Sequence, residues 1–405
     1  MELSLTVKAK LKLLSPQAST YLSDTTEIYR QACNFISEWI FNNDFELNSY
    51  KVSSSIYHKV REKFNLKSAL AQSAIKTVTA KYKTVETQMK KKSFNFRDLD
   101  GSYTSIKKDL NWLEKPVYFN RPQADLFRNR DFSKLEDGSW SLLTNYQRVK
   151  AEIIFDGFEN YLDGTWKFGV GKLLKKGNNW YFHISVTKNI EVLNKEDIKS
   201  VIGLDRGIRQ LVTSYDEKGN TTFFSGEKVR KKREHYKQLR QSLQKRNTKS
   251  SKRRIRKLGQ QENRWMTDVN HQLSKTLVEN YPENSLFVIE NLEGVRFVTE
   301  KSNKNNRYDA VSWAFYQFEQ FLTYKALKRK SLVVKVSAQY TSQRCPKCGN
   351  IEKSNRNHQL HNYHCDKCNY QSNDDRIAAM NIQQLGTYYR SGIPKPKFEK
   401  LNVSA

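Results

Sequence analysis

Two closely spaced pairs of cysteines near the C-terminal end constrain the fold of this chain most strongly. Cys345 and Cys348 form one Cys-x2-Cys pair, and Cys365 and Cys368 form a second pair after sixteen intervening residues. Two such pairs present four thiolates in the arrangement that closes a tetrahedral zinc site, and four protein ligands leave no open coordination position. We therefore predict a structural zinc ribbon over residues 341–370.

Histidines in the loop between the two pairs offer an alternative ligand set. His358, His361 and His364 could each compete with a thiol for the metal. We prefer the cysteines, because the two pairs already supply four ligands. The fifth cysteine, Cys33, lies in an apolar helical stretch, which favours an inert core thiol.

Three carboxylates stand where short apolar segments end or a helix begins. Asp205 follows the apolar residues 201–204, Glu290 follows residues 286–289, and Asp375 opens a predicted helix that continues to residue 385. An acid at such a position is usually solvated or caps a helix. Phosphodiester cleavage with two divalent ions, however, needs carboxylates that converge from different elements. Together with the ribbon, this pattern indicates a metal-dependent nuclease of the ribonuclease H-like type.

The chain carries a large positive charge that favours a polyanionic partner. It has 71 lysines and arginines against 42 acids, a formal net charge of +29. Nucleic acid is the partner that best suits such a surplus. Residues 227–258 contain 15 basic residues and two acids, so we predict that this tract contacts nucleic acid. The candidate side chains are Arg230, Lys231, Lys232, Arg233, Arg240, Arg253, Arg254 and Arg256.

The chain has no run of 18 apolar residues, and its alternating N-terminal segment does not resemble a signal peptide. We therefore expect no membrane association and a cytoplasmic, nucleoid-associated location in a prokaryotic cell.

Residues 3–9 alternate as in a strand, residues 17–92 have helical periodicity, and short β segments separated by turn signals follow as far as residue 190. This order predicts a β-barrel interrupted by helices.

Four segments resemble the RuvC and zinc-ribbon motifs of the TnpB family of transposon-encoded RNA-guided DNA endonucleases, which is related to the miniature type V CRISPR effectors. The segments are residues 203–207 (GLDRG), 288–292 (VIENL), 341–349 (TSQRCPKCG) and 375–382 (DRIAAMNI). The family's last motif usually has Asn where this chain has Ile377, and its first motif usually has an aliphatic residue where this chain has Arg206. Arg206 would place a cation beside the metal site.

The resemblance implies an α/β multi-domain protein with four parts. These are a split β-barrel wedge domain (1–16 and 93–198), a helical recognition domain (17–92), a split RuvC-like nuclease domain (199–340 and 371–390) and the zinc ribbon (341–370). The two prolines and three lysines of residues 391–405 predict a flexible tail.

The resemblance also implies a catalytic set of Asp205, Glu290 and Asp375 that holds magnesium or manganese, with guide RNA and double-stranded target DNA as partners. Arg344 could bind a phosphate, and Asp374 could be a fourth ligand, although we favour a capping role. Tyr57, Gln72 and Lys76 in the helical domain are candidates for DNA contact.

Two other functions stay open. One is an RNA-guided DNA-binding repressor without cleavage, for which Arg206 is the supporting feature. The other is a RuvC-type nuclease that acts without a guide, which the long basic tract and the large N-terminal half disfavour.

Overall fold

The structure is a computed structural model that describes residues 2–91, 93–97, 102–155, 157–292, 315–357 and 359–400. The chain divides into two compact units, Glu2–Asn189 and Ile190–Ala405. Within the described ranges, no helix is long and apolar enough to cross a membrane.

The N-terminal unit alternates a few long helices with many short strands. In chain order they are β1 (Glu2–Leu13), α1 (Ala18–Asn42), α2 (Ser49–Phe64), α3 (Ser68–Lys90), β2 (Ser93–Arg97), β3 (Tyr103–Lys107), β4 (Gln123–Leu126), β5 (Phe132–Lys134), β6 (Trp140–Leu142), β7 (Val149–Ile154), β8 (Lys167–Lys176) and β9 (Asn179–Asn189). Seven strands form one antiparallel sheet in the order β4-β8-β9-β1-β7-β6-β5.

This sheet curls into a nearly closed barrel. Its two edge strands, β4 and β5, follow each other in sequence, with Leu126 ending one and Phe132 beginning the next. A flat sheet of seven strands would separate its edges by about 29 Å, at about 4.8 Å per strand. Six residue steps span at most about 21 Å, so the edges must approach each other. The predicted barrel, with the N-terminal segment as a strand and the helices inserted after it, is confirmed.

The three helices have a core of their own. Their buried faces include Ile36 of α1, Ile56 of α2 and Val78 of α3. The hydroxyl of Tyr29 on α1 lies 2.9 Å from that of Ser73 on α3, which satisfies both polar groups inside this core. Cys33 is buried on α1, and burial raises its thiol pKa well above the usual value. The prediction of an inert core thiol agrees with this environment.

The C-terminal unit is built around a mixed sheet. Its elements are β10 (Ser200–Asp205), β11 (Gln210–Asp216), β12 (Thr221–Ser225), α4 (Glu227–Arg246), α5 (Lys249–Glu279), β13 (Ser285–Glu290), α6 (Phe315–Lys328), β14 (Leu332–Val336), β15 (Arg356–Asn357), β16 (Asn362–His364), β17 (Gln371–Asn373) and α7 (Asp374–Arg390). Five strands pair in the order β12-β11-β10-β13-β14. Strands β10, β13 and β14 pair in parallel, whereas β11 pairs antiparallel with both of its neighbours, β10 and β12.

Both faces of this sheet are covered. Ile202 and Phe287 point to one face and pack with apolar residues of α5 and α6, such as Leu277 and Phe318. Burial of β10 and β13 on both faces explains why their sequences are continuous apolar runs.

The opposite face of the sheet packs against α7. Val201 and Val288 join Ile382 and Leu385 in a second cluster. The tail differs from the loose segment that its composition suggested, since Phe398 is buried in the same cluster.

The basic tract forms two helices that break at residue 247. Asn247 adopts a left-handed conformation with φ of +44°, and the Thr248 side chain accepts a hydrogen bond from the Ser251 backbone N–H to cap α5. Helix α5 therefore runs without interruption from Lys249 to Glu279, and the cap at Thr248 determines its start.

Candidate active site and metal-binding ribbon

Asp205 and Glu290 emerge side by side from the central strands. Strands β10 and β13 pair in parallel, with Leu204 opposite Ile289, so each acid is the next residue on its strand. Carboxyl ends of parallel strands meet at one edge of a sheet, and neighbouring strands lie about 4.8 Å apart. Both acids therefore leave the sheet at the same edge.

Helix α7 brings Asp375 to this edge. The Asn373 side chain accepts hydrogen bonds from the backbone N–H groups of Asp375 and Arg376 and thereby caps the start of the helix. The helix lies unusually close to the sheet, because a Cβ on Gly203 would approach the Ala379 carbonyl to 2.1 Å. Glycine at position 203 thus allows the helix to carry Asp375 next to the strand ends.

The three carboxylates repel one another in a poorly solvated site. Burial raises the pKa of Asp205 well above its usual value, and the nearby charges of Glu290 and Asp375 raise it further. Burial also raises the pKa of Glu290, and burial together with the charge of Asp374 raises that of Asp375. Like charges that converge without solvent favour protons or cations. The arrangement is suited to divalent ions with oxygen ligands.

The segment leading into the ribbon fixes Glu290. The Thr341 hydroxyl donates a hydrogen bond to Oε1 of Glu290. The Thr341 carbonyl accepts a bond of 2.7 Å from the buried side-chain amide of Asn381 on α7. One hydroxyl and one amide therefore link the second acid to the helix that carries the third.

An arginine from the ribbon lies among the acids. Arg356 on β15 donates through Nε to Oδ2 of Asp374 at 3.0 Å, and its Nη2 lies 3.9 Å from Oδ1 of Asp375. Its charge lowers the pKa of all three candidate catalytic carboxyls, against the stronger effect of burial. Asp374 is fully buried, and its other oxygen accepts from the Asp375 backbone N–H at 3.0 Å. Asp374 therefore both caps the helix and holds Arg356.

Arg206 is oriented by groups other than the candidate catalytic carboxylates. Its Nη2 donates to the backbone carbonyl of Glu290, and its Nη1 lies 3.7 Å from a carboxylate oxygen of Glu319 on α6. Burial lowers the pKa of its guanidinium, while Glu319 offsets part of that effect. The cation beside the first acid is therefore held by a carbonyl and by a separate carboxylate.

The four cysteines converge as expected. Sulfur atoms of Cys345 and Cys368 are 3.6 Å apart, and those of Cys348 and Cys365 are 3.5 Å apart. All four sulfurs lie within 4.8 Å of one another. Zn–S bonds of about 2.3 Å in a tetrahedron place sulfurs about 3.8 Å apart, so the four thiols can hold zinc.

The two Cys-x2-Cys turns have matching backbones. The Gly349 N–H donates to the Cys345 carbonyl at 2.9 Å, and the Asn369 N–H donates to the Cys365 carbonyl at 2.8 Å. Both fifth residues adopt positive φ, +76° for Gly349 and +55° for Asn369. This repeated turn presents each pair of thiols in the same way.

The loop histidines have other environments. His361 Nδ1 lies 3.5 Å from Oδ1 of Asp374, away from the thiol cluster, and could join Asp374 and Asp375 around a cation. His364 ends strand β16 and is exposed. His358 lies outside the described residues.

Arg344 lies against α7 and the tail. Its Nη1 donates to Asn381 at 3.2 Å and to Gln384 at 2.7 Å, and its guanidinium stacks 4.4 Å from the ring centre of Phe398. These contacts attach the first cysteine turn to the helix. The suggested phosphate contact of Arg344 stays a prediction.

The basic candidates divide by exposure. Six of the eight side chains are exposed on α4 and α5: Arg230, Lys231, Lys232, Arg253, Arg254 and Arg256. Arg233 is buried, and Arg240 forms an ion pair with Glu262 that joins the two helices. The exposed six are the better candidates for phosphate contact.

In the N-terminal unit, the three candidate side chains lie on two helices. Gln72 and Lys76 are exposed on α3, with Lys76 5.2 Å from the ring centre of Phe127. Tyr57 is partly buried on α2, and the Arg61 guanidinium lies 5.8 Å from its ring centre. Their contact with DNA stays a prediction.

Comparison with known proteins agrees with this architecture. Residues 183–295 match the family model described as a probable transposase, and residues 315–382 match the Cas12f1-like TNB domain. The first match contains β10 and β13, and the second contains the ribbon and the start of α7.

Curated relatives match over most of their length. The chain is 24% identical to the CRISPR-associated endodeoxyribonuclease Cas12f1 of Sulfoacidibacillus thermotolerans, over 89% of this chain and 90% of the relative. It is 28% identical to the putative RNA-guided DNA endonuclease InsQ of Escherichia coli K12, over 72% of this chain and 73% of the relative. It is also 27% identical to the TnpB-like protein MJ0751 of Methanocaldococcus jannaschii, over 59% and 89%.

Solved structures share the fold at low identity. A Cas12f1 chain in a complex with single-guide RNA and target DNA superposes with a TM-score of 0.57 at 14% identity, over 91% of this chain and 82% of that one. The mini-RNA-guided endonuclease CRISPR-Cas_phi3 superposes with the same TM-score at 10% identity. In its motifs, its relatives and its fold, the chain is similar to TnpB-like proteins and to the Cas12f1 proteins.

Proposed function

We propose that this protein is an RNA-guided DNA endonuclease that cleaves phosphodiester bonds at the edge of the C-terminal sheet. The convergence of Asp205, Glu290 and Asp375 from two strands and a helix carries the proposal. The sheet order, an antiparallel hairpin followed by parallel strands, supports a ribonuclease H-like RuvC domain. Its named relatives Cas12f1 and InsQ are DNA endonucleases by description, and InsQ is RNA-guided.

Each polar group around the site has a role in this proposal. Asp205, Glu290 and Asp375 would hold two magnesium or manganese ions, which supply an activated water and stabilise the leaving oxygen. Thr341 fixes the orientation of Glu290. Asp374 fixes Arg356, whose remaining N–H groups can donate to a phosphate oxygen beside Asp375.

Zinc would have a structural role. Four thiols leave no position for a substrate. Arg356 lies between the two cysteine pairs, and Thr341 precedes the first cysteine by four residues. A folded ribbon would therefore place two active-site groups.

Arg206 stays the supporting feature of the repressor alternative. The Glu290 carbonyl and Glu319 hold it beside the site, and its charge also acts on Glu290 and Asp205. The experiment below distinguishes both the repressor and the guide-independent nuclease from the proposed function.

The test is cleavage of a plasmid by the protein with its copurified RNA. The plasmid contains a sequence that matches the RNA beside a randomised flank. We expect cleavage that depends on magnesium or manganese and is abolished by Asp205→Ala, Glu290→Ala or Asp375→Ala, with binding largely retained. Equal cleavage after the RNA is digested would support the guide-independent nuclease instead. Binding without cleavage by the unsubstituted protein would support the repressor.

A further inference from the structure

The hairpin of β2 and β3 is a separate structure in the N-terminal unit. Among the described strands, β2 and β3 pair only with each other, whereas the barrel contains the other seven strands of this unit. A two-stranded hairpin is marginally stable alone in water. Its side chains therefore need another surface for full stability.

One face of this hairpin and the turn after it expose an aromatic cluster. Phe94 lies opposite Ile106 in the hairpin, and the two side chains are 44% and 43% exposed. Trp112, also 44% exposed, places its ring centre 5.6 Å from that of Phe94. Phe96, two residues further along the strand, places its ring 6.0 Å from Phe94. Adjacent exposed rings of this kind mark an interaction site more often than an ordinary surface.

Lys108 makes cation–π contacts with two of these rings. The Lys108 ammonium lies 5.6 Å from the ring centre of Phe94 and 5.0 Å from that of Trp112. Lys107 and Arg97 are exposed at the ends of the paired strands. Flat apolar surfaces surrounded by cations match the two parts of a nucleotide, since bases stack on the rings and phosphates bind the cations. A protein partner with an apolar face would not make use of these charges.

We propose that Phe94, Trp112 and Lys108 form a stacking platform for unpaired bases of the bound RNA. The proposal rests on the proposed function in one respect, namely that RNA is the resident partner. An apolar cluster exposed in the free chain needs a partner that is present before target DNA arrives, which favours RNA over displaced DNA.

Binding of labelled 20-nucleotide single-stranded oligoadenylate to the full chain tests the platform independently of guide sequence and cleavage. We expect Trp112→Ala and Phe94→Ala each to weaken binding about tenfold, because base stacking is lost. The slope of log affinity against log salt should be unchanged in both variants. Lys108→Gln should instead reduce that slope by about 0.7.

Two controls separate stacking from damage to the fold. Trp112→Phe keeps an aromatic face and should retain most of the affinity. Tyr316→Ala removes a ring that is 73% exposed on α6 and should leave affinity within twofold. Binding of a 20-base-pair RNA duplex should also be unchanged in the alanine variants, because its bases are already stacked.

Three results would overturn the proposal. These are equal losses on single-stranded and duplex RNA, a loss confined to single-stranded oligodeoxyadenylate, or unchanged RNA binding with a change in oligomeric state by mass photometry. The last result would identify the platform as a contact between copies of the chain. If the unsubstituted protein binds oligoadenylate through the platform but does not cleave the matching plasmid, the result would count against the proposed function alone.

Discussion

The partly buried Arg356 forms an ion pair with the fully buried Asp374, in which the Nε of the arginine donates to Oδ2 of the aspartate at 3.0 Å. The arginine belongs to the ribbon and the aspartate to the first turn of α7. Removing one partner of a buried pair leaves an uncompensated charge. This contact therefore couples the position of the ribbon to the position of the neighbouring Asp375.

Substitution of Arg356 should reduce cleavage more than binding. An arginine aimed at developing phosphate charge contributes about 10²–10³ in rate, so we expect Arg356→Ala to lower single-turnover cleavage by about that factor. Arg356→Lys should recover little, because a lysine cannot donate to Asp374 and to phosphate in the same fixed geometry. Asp374→Ala should lower the rate less than loss of any of the three acids. Unchanged cleavage in Arg356→Ala would exclude a role in the reaction.

Zinc should depend on the ribbon cysteines and on no other thiol. We expect about one zinc per chain, and Cys365→Ser should lose it together with cleavage, since Arg356 and Thr341 would lose their positions. Cys33→Ser is the matched control, because Cys33 is buried on α1 in the other unit and should leave zinc unchanged. Zinc content is measured by inductively coupled plasma mass spectrometry. Full zinc content in Cys365→Ser would indicate a histidine ligand instead.

The acid cluster should lower the stability of the protein when no metal is present. A carboxyl whose folded pKa is raised stabilises the fold below its unfolded pKa, and that stability is lost as the pH rises through the folded pKa. Burial and neighbouring charges raise the pKa of Asp205 in this way. In EDTA at pH 8, the melting temperature of Asp205→Asn should therefore be about 2–4 °C above that of the wild type. This difference in melting temperature should become smaller as the pH is lowered towards 4.

Asp137 in the N-terminal unit is the control, because its pKa is shifted in the opposite direction from that of Asp205. Hydrogen bonds from Ser139 lower the pKa of Asp137 to about 2, so its ionised form favours folding and Asp137→Asn should not raise the melting temperature. Added manganese should stabilise the wild type more than Asp205→Asn. An equal metal response in both proteins would mean that the ions bind elsewhere.

Helix α7 packs so closely against the sheet that a methyl group added at Gly386 should destabilise the fold. A Cβ at Gly386 would lie 2.3 Å from Cγ2 of Val288 and 2.6 Å from Cγ1 of Val201. Gly386→Ala should cost about 1–3 kcal/mol in urea unfolding and displace Asp375. Gly259→Ala on α5 is the control, because its Cβ meets open space and alanine favours the helix by up to about 1 kcal/mol. Equal stability of both variants would show that α7 can shift at no cost.

The exposed cations of α5 should account for part of the salt dependence of nucleic-acid binding. Each phosphate contact contributes about 0.7–0.9 to the log–log slope. Replacing Arg253, Arg254 and Arg256 together with glutamine should weaken RNA binding and flatten the slope by about two. Lys400→Gln, whose ammonium pairs with Glu352 at 3.1 Å, should leave the slope unchanged. An unchanged slope in the triple variant would mean that α5 faces solvent in the complex.

Local sequence patterns were enough to locate the ribbon and the strands that end in acids. Cysteine spacing identifies the four thiols, and continuous apolar runs identify β10 and β13. Arg356 was missed because it occurs once, in a loop without periodicity, and only the folded ribbon brings it to Asp374. Asp374 was interpreted as a helix cap or a fourth metal ligand, because sequence cannot show that a residue 18 positions earlier would bind one of its oxygens.

Two further differences arise from tertiary packing. Composition suggested a loose tail, but Phe398 is buried in the apolar cluster that the sheet and α7 share, which no local sequence pattern predicts. Arg233 belongs to a dense basic run, yet it faces inward because helical periodicity places it on the same side as Val229. Charge density along a sequence does not show which side of a helix is buried.

The pairing of β1 with β9 determines when the N-terminal unit can fold during synthesis. Glu2 pairs with Asn189, and Leu11 pairs with Trp180. At about 5–20 residues per second on the ribosome, the first strand waits about 10–40 s for its partner. Helices α1 to α3 emerge in that interval and can form their own core, while residues 2–9 of β1, which pair only with β9, remain unpaired. Slowed translation between residues 90 and 180 would lengthen the period in which the nascent chain is exposed to chaperones and to aggregation.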